Sequence, residues 1–360
     1  MKRLFVFTIL VMIISASPVS AQSDKEKALK KGQEAVKIMD EGKINESIKL
    51  LEEAQKLDPS FFDYPYELAL AHYMKEDYKG AIKILEKIAD HKNVKDRLFQ
   101  LLGNSYDMLG KSDVALKKYD EGLKKFPNSG MLFLEKGNVY WGKKEYEKAL
   151  PFYEQGIEID PSFPSNYYRA ARIYCNSSEA VWGMIYGEIF MNLERNSKRT
   201  AEISQLLFDT YKSQIKITSD TSLSVSFCKN MITKANDILD PKKFKLPFCM
   251  IYEPTLMLAI PSVKKMDIAV MNKMRSNFVE SYYQNGHDKT HPNVLFDYQN
   301  KMVKAGQMEA YNYWILMKGE EDSFSKWQTA NKDKWDSFIK WFNDNPLNLD
   351  ASNHFYRNQY

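Results

Sequence analysis

Small and large apolar positions recur along this chain at a fixed step. Leu102-Gly103-Asn104-Ser105-Tyr106 is answered by Lys136-Gly137-Asn138-Val139-Tyr140, and 137 − 103 is 34. Ala115 and Ala149, Tyr119 and Tyr153, Gly122 and Gly156, and Pro127 and Pro161 keep the same offset. Stepping back from Ala115 reaches Ala81 and Ser47, from Gly103 reaches Ala69 and Ala35, and from Tyr119 reaches Leu85 and Leu51. Stepping forward from Gly137 and Tyr140 reaches Ala171 and Tyr174. Five repeats follow, about 28–61, 62–95, 96–129, 130–163 and 164–197. The last decays in its second half, where Gly183 and Gly187 stand in place of the Ala and the Tyr.

Each repeat predicts two antiparallel helices. Small residues at the Gly103 and Ala115 positions let the helix axes approach, and large ones such as Tyr106 and Tyr119 fill the space beside that contact. Gly42, Gly110 and Lys143-Lys144 mark the turns. Asp58-Pro59, Phe126-Pro127 and Asp160-Pro161 end second helices, because the residue before Pro is driven out of the helical region. One such hairpin cannot bury its own apolar faces; three or more stacked ones can.

The period and its markers resemble the tetratricopeptide repeat family, over roughly half of the mature chain. The match is most specific at Leu102-Gly103, Tyr106, Ala115, Tyr119 and Pro127, then Gly137, Tyr140, Ala149, Tyr153 and Pro161. Pro65 and His72 depart from it, so the second repeat is expected to start irregularly. The resemblance implies an all-α helical-hairpin solenoid, right-handed, whose concave groove binds a peptide or partner protein. It does not imply catalysis.

In that family the inner face of each first helix makes the groove. One face position follows the small residue, and here it holds Val36, Leu70, Asn104, Asn138 and Arg172. An Asn carries a donor and an acceptor, so Asn104 and Asn138 suit the backbone of an extended peptide of any sequence. Tyr66, Tyr73, Trp141 and Tyr168 fall one helical turn from that position and are candidate anchors. Gln100 and Asp107 add polarity. A clamp for a ligand carboxylate would need several cations on this face; only Arg97 and Arg172 are apparent, which disfavours it.

Residues 198–360 lose the clean period and predict a helical C-terminal region. Helices are expected over Ala201–Ile215, Pro254–Ile260, Asp267–Gln284, Asn293–Lys304 and Gln307–Lys318. The last two form a hairpin about Gly306, possible as a degenerate repeat near 293–318. Thr218–Ser222 is expected as a loop, and Leu223, Val225 and Phe227 as a short strand with no evident partner. Asp240-Pro241 bounds another loop. Trp335, Phe338 and Phe342, with Phe324 and Trp327 before them, predict an aromatic face against a core.

Composition adds an address. Lys2 and Arg3, the apolar run Leu4–Ile14 and Val19-Ser20-Ala21 have the layout of a secretory signal cut after Ala21. The run is short of the ~20 residues a membrane span needs. Export to the periplasm or beyond is expected. Removing residues 1–21 takes the net charge from +4 to +2 (4 − 2), which gives no electrostatic case for nucleic acid or for an acidic membrane surface. An exported chain can form disulfides. Cys228 and Cys249 could pair and leave Cys175 over, but three buried thiols are the simpler expectation. No nucleotide-binding motif occurs, and no cofactor is called for. The one dense cluster of ligand-capable side chains is His287-Asp288-Lys289-Thr290-His291. It is expected as a loop capping the next helix, and it is where a rival reading as an enzyme or metal protein would have its site.

Overall fold

The computed structural model describes residues 19–219, 222–229, 246–262 and 264–359. The signal-like stretch before Val19 and the Asp240-Pro241 loop lie outside them. The expected repeats are present as five helical hairpins: α1 (Val19–Asp40) with α2 (Ile44–Leu57), α3 (Asp63–Met74) with α4 (Tyr78–Ile88), α5 (Asp96–Met108) with α6 (Ser112–Lys125), α7 (Gly130–Gly142) with α8 (Tyr146–Ile159), and α9 (Pro164–Tyr174) with α10 (Ala180–Leu193). The backbone repeats as the sequence does. Gly42, Glu76, Gly110 and Lys144 all have positive φ (85°, 65°, 74° and 61°), each 34 residues after the last. A left-handed residue is what turns a first helix into its partner. Pro65 lies in the first turn of α3, where its missing N–H breaks no helical bond, so the second repeat starts regularly.

The chain divides into two compact units between Gly122 and Leu123. In the first, Ala35, Ala69, Ala81 and Ala115 are fully buried, as the close approach of paired helices requires. Gly103 faces the ring of Tyr119, and a Cβ there would fall 2.2 Å from it. In the second unit Gly137 faces Tyr153 in the same way, at 2.3 Å. Glycine is needed at both because the ring of the second-helix tyrosine occupies the space a Cβ would take.

The second unit continues past the repeats. α11 (Lys198–Gln214) begins one period after Pro164. It is followed by α12 (Phe248–Ala259), α13 (Ile268–Gln284), α14 (His287–Thr290), α15 (Val294–Lys304), α16 (Met308–Ile315), α17 (Glu321–Ala330) and α18 (Lys332–Asp344). One core runs from Leu134 to Phe355, so the last two repeats share it with the C-terminal helices. Glu188 of α10 and Arg275 of α13, both 4% exposed at the side chain, form a two-pronged ion pair at 2.6 and 2.8 Å. Gln299 donates to Glu188, Arg275 donates to Asn312 and Tyr211, and the network ties α10, α11, α13, α15 and α16 together. The expected aromatic face is buried, with Trp327 stacked on Tyr313 and Phe338 on Phe342.

Three further expectations are corrected. Leu223 and Val225 do have a partner strand. β1 (Ile215–Ser219) pairs antiparallel with β2 (Ser222–Val225), Ile215 opposite Val225 and Ile217 opposite Leu223. The alternation Ile-Lys-Ile-Thr runs across the expected helix end at Ile215 and into the expected loop from Thr218, so neither period stands out there. The helix expected from Pro254 starts six residues earlier, at Phe248, with Pro254 inside it. Cys228 and Cys249 are not free thiols; they form a disulfide with Cα atoms 6.0 Å apart, and Cys175 is the buried free one.

Candidate functional site

The first-helix faces carry a different surface in each unit. In the first, Tyr66, Glu67, Leu70 and Tyr73 of α3 face Arg97, Gln100, Leu101 and Asn104 of α5 across a cavity of about 340 Å³. Side chains three and four apart on a helix share a face, so these two rows meet across neighbouring repeats. That volume is within the range of small ligand pockets. Arg97 lies 4.1 Å from the centre of the Tyr66 ring and is balanced by Asp63 at 2.7 Å and Glu67 at 3.9 Å. Of the sequence candidates, Tyr66, Tyr73, Gln100 and Asn104 are thus brought together. Asp107 is not among the lining residues; its carboxylate accepts from Ser112 at the turn into α6, at 2.6 Å.

Asn104 has a divided role. Its side-chain oxygen accepts from the Tyr119 hydroxyl at 2.5 Å, which fixes the carboxamide plane and leaves the NH2 end to the cavity. In the second unit the oxygen of Asn138 accepts from Tyr153 at 3.1 Å, and its NH2 donates to Glu135 at 3.0 Å. Burial pushes the Tyr153 phenol above its ordinary range, so it stays a donor.

Trp141, Tyr168 and Arg172 are also brought together, in the second unit. The Arg172 guanidinium lies 4.9 Å from the Trp141 ring centre and donates to the Tyr168 hydroxyl at 3.1 Å. That hydroxyl donates to Glu202 at 2.5 Å. Burial and the bond to Glu202 hold the Tyr168 phenol above its usual pKa. Arg169, which sequence reasoning passed over, is 4.7 Å from the same indole. Arg199 stacks on Tyr168 at 5.0 Å and is held by Glu194. One signal could have found Arg199 and Glu202: they stand one period after Ser165 and Tyr168. Arg169 had a plainer one, sitting one turn from Arg172.

The rival site does not assemble. His287 to Thr290 is a single helical turn rather than a loop, and Asn293 itself caps α15. His291 is buried, with its Nε2 2.7 Å from the Leu246 carbonyl and its Nδ1 3.0 Å from Thr290. Among the described residues, the one group of three or more His, Cys, Asp or Glu close enough to share an ion is Glu179, Cys228 and Cys249, and its two sulfurs are bonded to each other. A second cavity, of about 20 Å³ beside Glu188 and Arg275, has room for about one water. No helix of the described residues is long and apolar enough to cross a membrane.

Stacked helical hairpins with aromatic and carboxamide groups along their first helices define an interaction scaffold. Models of the tetratricopeptide repeat match residues 39–93 and 132–163, so the chain carries tetratricopeptide repeats over those stretches. Similar solved structures include a thermophilic TPR protein of Thermus thermophilus, with 16% identity and a TM-score of 0.42, covering 50% of this chain and 98% of that one. Pseudomonas aeruginosa pilF has 18% identity and a TM-score of 0.43, covering 53% and 86%. YrrB, a TPR protein with an unusual peptide-binding site, has 18% identity and a TM-score of 0.34, covering 53% and 95%. No curated protein matches the chain in sequence.

Proposed function

We propose that this chain is a non-catalytic scaffold or adaptor that holds an extended peptide or a protein partner against the first-helix faces of its repeats, outside the cytoplasm. The observation that carries the reading is the cavity between α3 and α5, where Tyr66, Tyr73, Gln100 and the NH2 of Asn104 face one space. Aromatic surface supplies burial and the two carboxamides supply backbone recognition that is indifferent to partner sequence. Export is supported by the leader-like start of the chain, and the Cys228–Cys249 disulfide fits an oxidising compartment.

The test is site-specific photocrosslinking in the native envelope. A benzoyl-phenylalanine in place of Gln100 is expected to capture a discrete protein partner that the same group in place of the exposed Lys83 does not. Equal capture from both positions, or none from Gln100, would remove the reading.

A further inference from the structure

Every residue of α12 that the fold leaves exposed is apolar. One face of the helix is buried, with Phe248, Ile251, Tyr252, Leu256 and Ala259 in the core. The exposed positions are Met250, Pro254, Met257 and Leu258. Leu258 is 80% exposed, and Met250 and Met257 are 45% and 44%. At ~100° per residue these four fall within about 100° of arc, one stripe along a helix about 18 Å long. Leu246, just ahead of the helix, is a further large apolar side chain at 40%. The helix's one charged side chain, Glu253, is spent on the chain after β2, accepting from the N–H groups of Phe227 and Cys228 at 2.5 and 2.9 Å. The disulfide from Cys249 to Cys228 fastens the same end. Other helices of this unit present charge outward: α13 exposes Lys273 and Glu280, and α18 exposes Lys332, Asp336 and Lys340. Single exposed apolar residues need no explanation, but a contiguous set marks an interaction surface.

Charge in the sequence around the stripe indicates what covers it. Residues 229–265 contain seven Lys against Asp237, Asp240 and Glu253, a balance of +4 (7 − 3), whereas the whole mature chain carries +2. Lys229 before α12 and Lys264 and Lys265 after it are exposed. Net charge alone makes no case for an acidic membrane, but its placement beside an apolar stripe does. An interfacial helix is held by its buried apolar area together with the attraction of its cations to anionic headgroups. A second copy of the chain is a poorer fit. Four partly exposed side chains offer well under the ~800 Å² per partner that a stable dimer buries. The same lysines would also meet one another across a two-fold contact.

We propose that the outward face of α12 docks on an anionic phospholipid surface, with Leu246, Met250, Met257 and Leu258 entering the headgroup layer and Lys264 and Lys265 meeting lipid phosphates. The helix lies on the bilayer and does not cross it, since it has 12 residues where a span needs ~20. The proposal is independent of what the cavity between α3 and α5 holds. It adds a place of work to the scaffold, at the face of a membrane.

The experiment is co-sedimentation of the mature chain, residues 22–360, with sucrose-loaded vesicles at low and high salt. One vesicle is phosphatidylcholine alone; the other mixes phosphatidylcholine and phosphatidylglycerol about two to one. The mixed vesicles are expected to bind about tenfold more tightly than the neutral ones, and high salt should erase the difference. Met257→Ser with Leu258→Ser should cut binding about tenfold or more, because several buried CH2 groups are lost. Its thermal melt should be nearly unchanged, since both side chains are already exposed. Ile339→Ser, which alters an exposed apolar side chain on α18, should leave binding as it is. No binding to either vesicle, equal binding to both, or undiminished binding by the double variant would each overturn the proposal. So would a dimer in light scattering that the double variant loses, which would assign the stripe to a second copy. None of these outcomes touches the crosslinking result at Gln100, on which the scaffold reading stands or falls.

Discussion

Tyr119 reaches back across 15 residues to give its hydroxyl proton to the side-chain oxygen of Asn104, at 2.5 Å. Tyr153 and Asn138 repeat the relationship one period later. In the first two repeats the corresponding pairs are Leu51 with Val36 and Leu85 with Leu70, apolar at both ends. The two positions therefore change character together within this one chain. Tyr153→Phe should cost about 1 kcal/mol, the value of a neutral hydrogen bond, and more if the Asn138 oxygen stays buried. Gly137→Ala should cost about 1–3 kcal/mol, because its Cβ would meet the Tyr153 ring. Urea denaturation of both variants checks the pair.

The buried Glu188–Arg275 pair makes a sharper prediction. Glu188→Gln leaves Arg275 without its counter-charge and should destabilise by about 3–5 kcal/mol. The double substitution Glu188→Leu with Arg275→Met should be much less harmful, since two charges no longer have to leave water. Thermal melts of the single and double variants decide it. A double variant as damaged as the single one would mean that the remaining donors, Gln299 and Tyr211, govern the network.

Thiol counting tests the cysteines. The denatured, unreduced chain should expose one thiol to Ellman's reagent and the reduced chain three. In the native protein at pH 8 the count should be zero, because burial pushes the Cys175 thiol up to about 12. Reduction removes a closed loop of 21 residues and should cost about 3 kcal/mol.

Tyrosine titration gives the expected pH dependence. Burial raises Tyr64 and Tyr298 to about 12, and the bond to Glu86, then burial, raises Tyr106 to about 12. An unfolded tyrosine titrates near 10. Below that pH both states hold the proton and the full stability is present. Between 10 and 12 only the folded state holds it, so stability falls as pH rises. Absorbance at 295 nm followed with circular dichroism should show these phenols ionising together with loss of helix. Ionisation of all tyrosines near pH 10 with helix intact would contradict the burial.

The hairpins were legible because packing demands small residues at Ala81, Ala115 and Ala149 and because Gly42 and Gly110 mark left-handed turns. Glu76 occupies the same left-handed position with no glycine to announce it. The strand Ile215–Ser219 was hidden because four or five residues fit either period at a helix end. The Glu188–Arg275 pair joins residues 87 positions apart, and no local pattern carries that. Candidate groove residues were legible by register, since the 34-residue step names a face. Which side chains on that face are already spent, as the Asp107 carboxylate is on Ser112, is a matter of contacts that only the folded chain displays.

Affinity of a crosslinked and identified partner for the variant Gln100→Ala with Asn104→Ala is the most direct measurement. A scaffold that grips its partner between α3 and α5 should lose about tenfold or more, with a melt shifted by no more than the loss of the Tyr119 hydrogen bond explains. Undiminished affinity in a folded variant would place the partner elsewhere on the chain and contradict the reading.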